Sequence, residues 1–234
     1  MKLSALRDGL LFYLGVPRCV GCGAFLSRND RVFCPDCRMI YDNAKMRNCS
    51  RCAKILSRCT CPNDYLDSHY VHDLVKVTRY IHDPTLPQNR LIYSLKQENR
   101  RDVLEFMAAE LADAVRASEE ACDEFLVTFV PRRRRAVLTY GFDHAKKLAR
   151  RLAKKIGADF SPLLSSAARH AQKKMHGSRE RIGNAAMQYI GEPDLHGKRI
   201  LLVDDIANGA KKIVGASFSI AYLDSYVPFE KRTF

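Results

Sequence analysis

Apolar positions in the middle of the chain alternate between two spacings, and each spacing predicts a different element. Val71–Tyr80 is rich in β-branched and aromatic residues and predicts a strand, broken by His82-Asp83-Pro84. Gln88–Lys96 predicts a short helix. Arg101–Ala117 predicts a longer one, with Leu104, Met107, Ala108, Leu111 and Val115 at helical intervals. Phe125–Val130 is apolar except for Thr128 and stops at Pro131, which suits a buried parallel strand. Asp143–Ile156 is the clearest helix: Ala145, Leu148, Ala149, Leu152, Ala153 and Ile156 form one stripe. Lys146, Lys147, Arg150, Arg151, Lys154 and Lys155 cover the other side, with Asp143 at the N-cap and Gly157 at the C-cap. Ile200–Val203 predicts a last strand, ending in Asp204-Asp205. This alternation predicts an α/β domain, a mostly parallel sheet with helices on both faces. Such sheets bind ligands beyond the C-terminal ends of their strands. Pro131 with its four arginines, Asp204-Asp205 and the turn Ala207-Asn208-Gly209-Ala210 are expected at those ends.

The first 65 residues follow neither spacing. They hold eight of the nine cysteines: Cys19 and Cys22, Cys34 and Cys37, Cys49 and Cys52, then Cys59 and Cys61. A thiolate pair two residues apart can hold one tetrahedral ion from a tight turn, and two pairs complete a four-cysteine zinc site. One zinc per consecutive four is the simplest grouping, with an interleaved arrangement as the alternative. A disulfide framework needs an oxidising compartment, and the N-terminus shows no secretory signal pattern. An iron–sulfur cluster is the third option. With little apolar material between its cysteines, this segment is expected to fold mainly on metal binding. A domain boundary is expected near Asp64–Ser68, giving residues 1–65 and 66–234. Cys122 stands alone and reads as a small buried residue.

Charge narrows the function. The 234 residues carry a formal net charge of +13. Residues 131–181 alone hold 15 Lys/Arg against three acids, a local excess of +12. Residues 1–65 carry a formal +6, which two Zn²⁺ on eight thiolates would reduce to about +2. The excess beside the predicted strand ends implies a polyanionic partner, a phosphorylated small molecule or a nucleic acid. Six of the 15 belong to the 143–156 helix and read equally as its solvated face. The longest uncharged stretch has 11 residues, too short for a membrane helix of about 20. The histidines are scattered and read as surface or structural residues, with His144 singled out by its place beside Gly141-Phe142.

A strand, two adjacent carboxylates and a small-residue turn into a helix have a physical logic. Carboxylates accept hydrogen bonds from neighbouring hydroxyls, and backbone N–H groups at a helix start favour a phosphate. An Mg²⁺ site or plain turn chemistry fits Asp204-Asp205 as well.

As a set, these residues resemble the ComF family, which joins an N-terminal double zinc ribbon to a type I phosphoribosyltransferase domain. The likeness covers about residues 10–210. It rests on the eight cysteines, Lys96 after Leu91-Ile92-Tyr93, Val130-Pro131, and Tyr140-Gly141-Phe142-Asp143-His144-Ala145. It also rests on Gln172, Arg179-Glu180-Arg181, Asn184 and Leu201–Ile206. The resemblance implies that Asp204 and Asp205 hold the ribose hydroxyls of phosphoribosyl pyrophosphate (PRPP). It implies that Ile206, Ala207, Asn208, Gly209, Ala210 and Lys211 form the 5-phosphate loop, and that Mg²⁺ neutralises the pyrophosphate. Arg132, Arg133, Arg134, Arg135, Arg179 and Arg181 would form a basic rim for pyrophosphate or DNA. The loop is one residue shorter than the family's and has no threonine; Lys211 would supply the charge instead. From about residue 207 the chain departs from the family's closing helix and strand. The implied activity is phosphoribosyl transfer, in the cytoplasm, tied to DNA uptake and its proteins or to nucleotide metabolism. The alternative is a non-catalytic single-stranded-DNA-binding accessory protein that keeps the fold. Neither reading needs a nucleophile, and no Ser-His-Asp or Cys-His arrangement is evident.

Overall fold

The computed structural model describes residues 15–27, 29–62, 73–81, 83–118, 125–166, 187–191, 199–207 and 216–223; for 205–207 and 216–223 it describes the backbone alone. The helices start where the sequence supplies a rigid or capping residue. Helix α1 (Pro35–Lys45) and helix α2 (Pro87–Gln97) both begin with proline, whose missing N–H costs nothing at that position. Helix α3 (Arg101–Ser118) buries Val103, Leu104, Met107, Ala108, Leu111, Ala112 and Val115 along one stripe. Short helix α4 (Arg134–Tyr140) buries nothing and ends at Gly141, in the left-handed conformation at φ +75°. Helix α5 (His144–Ile156) follows the predicted pattern: Asp143 accepts from Lys146 N, and Gly157 closes the helix at φ +78°.

Five strands make the main sheet: β1 (Asp73–Arg79), β2 (Phe125–Phe129), β3 (Asp159–Phe160), β6 (Arg199–Ala207) and β7 (Ala216–Leu223), in the order β1-β7-β6-β2-β3. Strand β2 pairs parallel with both β3 and β6. Strand β7 runs antiparallel to both β6 and β1, so the other four share one direction. Strands β4 (Leu164–Ser166) and β5 (Met187–Tyr189) form a separate antiparallel pair.

The structure corrects two expectations. The last predicted strand does not stop at Val203. Strand β6 continues through Asp204, Asp205 and Ile206 to Ala207, because β7 offers partner backbone as far as the Ala207–Ala216 rung. Pairing satisfies backbone groups that a strand end would leave to solvent. The next described element is this antiparallel strand and not a helix. Second, α2, α3 and α5 all join one core with Val75, Val77, Phe125, Val127, Phe129, Leu201 and Val203. The opposite face, carrying Leu126 and Ile200, is covered by Leu163 and Leu164. Among the described residues the helices that pack on the sheet therefore lie against one face.

That core also crosses residue 65. Leu26, Val32, Phe33 and Tyr41 belong to it. The rings of Phe33, Tyr41 and Phe106 of α3 meet with centroids 5.3, 5.6 and 5.4 Å apart, each such contact being worth about 0.5–1.5 kcal/mol beyond its buried area. Lys45 of α1 is ion-paired with Glu110 of α3. The first half of the cysteine-rich segment thus folds on apolar burial as well as on its thiols. The expected boundary at 64–68 lies outside the described residues. No described helix is long and apolar enough to cross a membrane.

Candidate functional site

The two cysteine groups are built from the same turn used twice. In the first, Cys19 N donates to Ala24 O at 2.8 Å and Gly23 N to Cys19 O at 2.9 Å, while Arg18 bridges to Phe25. In the second, Cys49 N donates to Lys54 O at 2.8 Å and Ala53 N to Cys49 O at 2.9 Å, while Asn48 bridges to Ile55. The fifth residue of each turn is left-handed, Gly23 at φ +78° and Ala53 at φ +58°. Each turn aims two sulfurs at the pair that completes its group. Cys34 at the start of α1 and Cys37 within it close the first group; Cys59 and Cys61, after the 3₁₀ turn Leu56–Arg58, close the second.

Within each group the four sulfurs lie within 4.8 Å of one another. Cys22 and Cys34 sulfurs are 3.7 Å apart, Cys52 and Cys59 sulfurs 3.5 Å. Four sulfurs about 2.3 Å from a zinc ion in a tetrahedron stand about 3.8 Å apart, whereas a disulfide needs about 2.05 Å. All eight are free thiols. The consecutive grouping therefore stands, the interleaved one does not, and the two groups could hold two zinc ions.

Electrostatics fits the same use. Burial raises the Cys19 thiol, but N–H groups of Cys34, Cys22 and Gly21 outweigh it and hold the thiol at about 7. Burial likewise raises Cys49, and the N–H groups of Arg51 and Cys52 bring it down to about 6. Burial, then the neighbouring Cys49 sulfur, pushes Cys59 up to about 12, with the nearby Lys76 charge acting the other way. Burial and the neighbouring sulfurs raise Cys37 as well. Each group thus has one thiol poised to ionise and another that keeps its proton until a cation arrives, as expected where four thiolates must crowd together.

The groups differ in their support. Cys19 and Cys37 belong to the main core, and the Arg100 guanidinium donates to Arg18 O at 3.2 Å, tying the first turn to α3. The second group forms a small satellite cluster of Cys49, Leu56 and Cys59, with Cys52 and Cys61 against it. It is held to β1 by Leu74 N donating to Thr60 O at 2.7 Å and by Lys76, whose ammonium donates to Cys61 O at 2.7 Å and Cys59 O at 3.2 Å. Sequence reading passed over Lys76, although a charge set between Val75 and Val77 is a signal. It also passed over Gly21, where an added Cβ would strike Cys37.

The carboxyl edge of the sheet is the other predicted site. Parallel pairing sets Phe129 against Val203, and Val130 N donates to Val203 O at 3.0 Å. Arg132–Arg135 therefore follow the end of β2 just past this rung, beside Asp204, which stays within β6 paired with Ser219. Arg132 is not a loose rim residue. Its N–H donates to Asp143 Oδ2 at 2.8 Å, its guanidinium donates to Lys96 O at 3.2 Å and lies over the Tyr140 ring at 4.1 Å. Asp143 thereby fixes the arginine loop and caps α5 at once, which gives the Gly141-Phe142-Asp143 run a structural purpose. Arg134 and Arg135 are exposed, Arg133 half-buried.

The α5 cations are only partly a solvated face. Arg151 and Lys155 pair with Glu105, Lys147 donates to Asn99 Oδ1 at 2.7 Å, and Arg150 lies over Phe160. His144 is buried at the start of α5. Asp204 is half-buried, and because β6 is extended through Asp205 the two positions belong to opposite faces of the sheet. Asn208, Gly209, Ala210, Lys211, Gln172, Arg179, Arg181 and Cys122 lie outside the described residues.

The chain matches no protein-family model, no curated protein and no solved structure.

Proposed function

We propose that this is a ComF-like protein of phosphoribosyltransferase type, which binds Mg-PRPP at the carboxyl edge of β2 and β6 and carries two structural zinc ions. The observation supporting the edge site is the rung Phe129–Val203, just past which the arginine loop leaves β2 beside Asp204 of β6. A sugar polyphosphate needs acceptors for its hydroxyls and cations for its phosphates. Asp204 offers the first and the exposed Arg134 and Arg135 the second, while Arg132, held by Asp143 and Lys96 O, positions the loop. Mg²⁺ on PRPP would neutralise the pyrophosphate. The protein's part in such a transfer is positioning and charge stabilisation of a departing group. Eight free thiols suit a reducing, cytoplasmic setting.

The second reading is a single-stranded-DNA-binding accessory protein in DNA uptake. One observation favours it: α4 exposes Arg134, Arg135, Leu138 and Tyr140 together, and buries nothing. Cations interleaved with an aromatic suit a strand of DNA.

One experiment separates the two. Mg-PRPP is titrated calorimetrically into the zinc-loaded protein, and single-stranded DNA is titrated at several salt concentrations. Measurable PRPP heat that is lost in Asp204→Ala is the expected result. Absence of PRPP heat together with salt-steep DNA binding, flattened in Arg134→Ala/Arg135→Ala, would replace the first reading by the second.

A further inference from the structure

Lys76 is the only buried lysine among the described residues, and no described arginine, aspartate or glutamate is buried with it. Burying an ammonium is costly unless its donors are satisfied and its charge is met. Its three donors are satisfied: Nζ reaches Cys61 O at 2.7 Å, Cys59 O at 3.2 Å and Leu74 O at 3.3 Å. Its charge finds no carboxylate among the described residues. Two of the three acceptors belong to residues of the second four-cysteine group. The carbonyl between them, Thr60 O, takes the N–H of Leu74. Three successive carbonyls of the Cys59-Thr60-Cys61 segment are thus held by β1, two of them through one ammonium.

A four-thiolate zinc site carries two net negative charges. We propose that Lys76 is a positioning residue and counter-charge for a zinc ion in the second cysteine group. It fixes the carbonyls of Cys59 and Cys61, two residues whose sulfurs join the group, and it sets a buried cation beside a dianionic centre. Partners of this kind around metal ligands typically govern about 10–100-fold in metal affinity. Lys76 thereby joins the satellite cluster to the sheet, a service that core burial of Cys19 and Cys37 performs for the first group. The inference rests on zinc occupying the second group and is independent of any PRPP site.

The test uses the full chain loaded with two zinc ions and follows their transfer to a chromophoric chelator. The wild-type protein should release them in two phases. Lys76→Met should accelerate one phase about 10–100-fold and leave the other unchanged. Lys76→Arg, which keeps the charge, should restore part of the difference. In the cobalt-substituted protein the thiolate-to-metal charge-transfer band of one ion alone should shift in Lys76→Met, which mere loosening of the fold would not produce. Unchanged release in Lys76→Met, equal acceleration of both phases, or a wild-type protein holding fewer than two ions would each overturn the proposal. Should Lys76→Met not fold, Lys76→Arg decides alone: release at the wild-type rate with an unshifted band refutes the geometric part, and faster release in a single phase supports it.

Discussion

Gly21 sits inside the first cysteine turn, and replacing it with alanine perturbs one metal ligand. A Cβ there would lie 2.6 Å from Cys37 Sγ, 3.0 Å from Cys37 Cβ and 3.4 Å from Pro87 Cβ. In the metal-free protein the Cys37 thiol is the end of a rotatable side chain and can swing aside. With zinc bound the sulfur is fixed, so the turn itself must move. Overpacking of this kind costs about 1–3 kcal/mol, equivalent to a loss of about 5–150-fold in zinc affinity at the first group. The assay is competition for zinc against a chelator of known affinity, with the second group as internal reference. Gly23→Ala is the control. Position 23 has no atom within 4 Å of an added Cβ but stands at φ +78°, so it incurs only the left-handed cost of about 1–2 kcal/mol, with or without metal. Ala53 already tolerates that place in the second turn. Wild-type zinc affinity in Gly21→Ala, or a larger loss in Gly23→Ala, would refute the steric reasoning.

Ala53→Gly should stabilise the zinc-loaded protein by about 0.5–1 kcal/mol, since relief of the left-handed strain at φ +58° exceeds the added chain entropy; thermal melting checks it, and a lowered melting temperature counts against the turn geometry. Zinc binding should strengthen with rising pH. Cys59 is held up near 12 and Cys37 is raised as well, so both carry protons at neutral pH in the metal-free protein and must release them to the ion. Each proton displaced changes the apparent binding constant about tenfold per pH unit. The zinc-dependent part of the stability should therefore shrink as pH falls from 8 to 6, measured as the melting difference between loaded and chelator-treated protein; a difference independent of pH would contradict the proton count.

The features legible in the sequence are those set by neighbours along the chain. Asp143, the stripe from Ala145 to Ile156 and Gly157 specify α5 because capping and helical spacing are local. The apolar run at Phe125 marks a strand buried on both faces. The cysteine spacings marked two turns, since a two-residue separation is enough to aim two sulfurs at one point.

What remained open was set by partners distant in sequence. Whether the groups were consecutive or interleaved depended on how α1 and the 3₁₀ turn return to their own knuckles. The reach of β6 past Val203 depended on β7 supplying a ladder, a decision residues 200–207 do not contain. Arg132 looked like its three neighbours until Asp143, Lys96 and Tyr140 closed around it. Lys76 shows the difference most plainly. The chain by itself says only that a charge stands between Val75 and Val77, whereas the folded protein sets that charge against the carbonyls of two cysteines 15 and 17 residues earlier. Local spacing determined which side chains could ligate an ion. Long-range packing decided which of them converge and what charge stands behind them, because burial and hydrogen bonding join groups that the sequence holds apart.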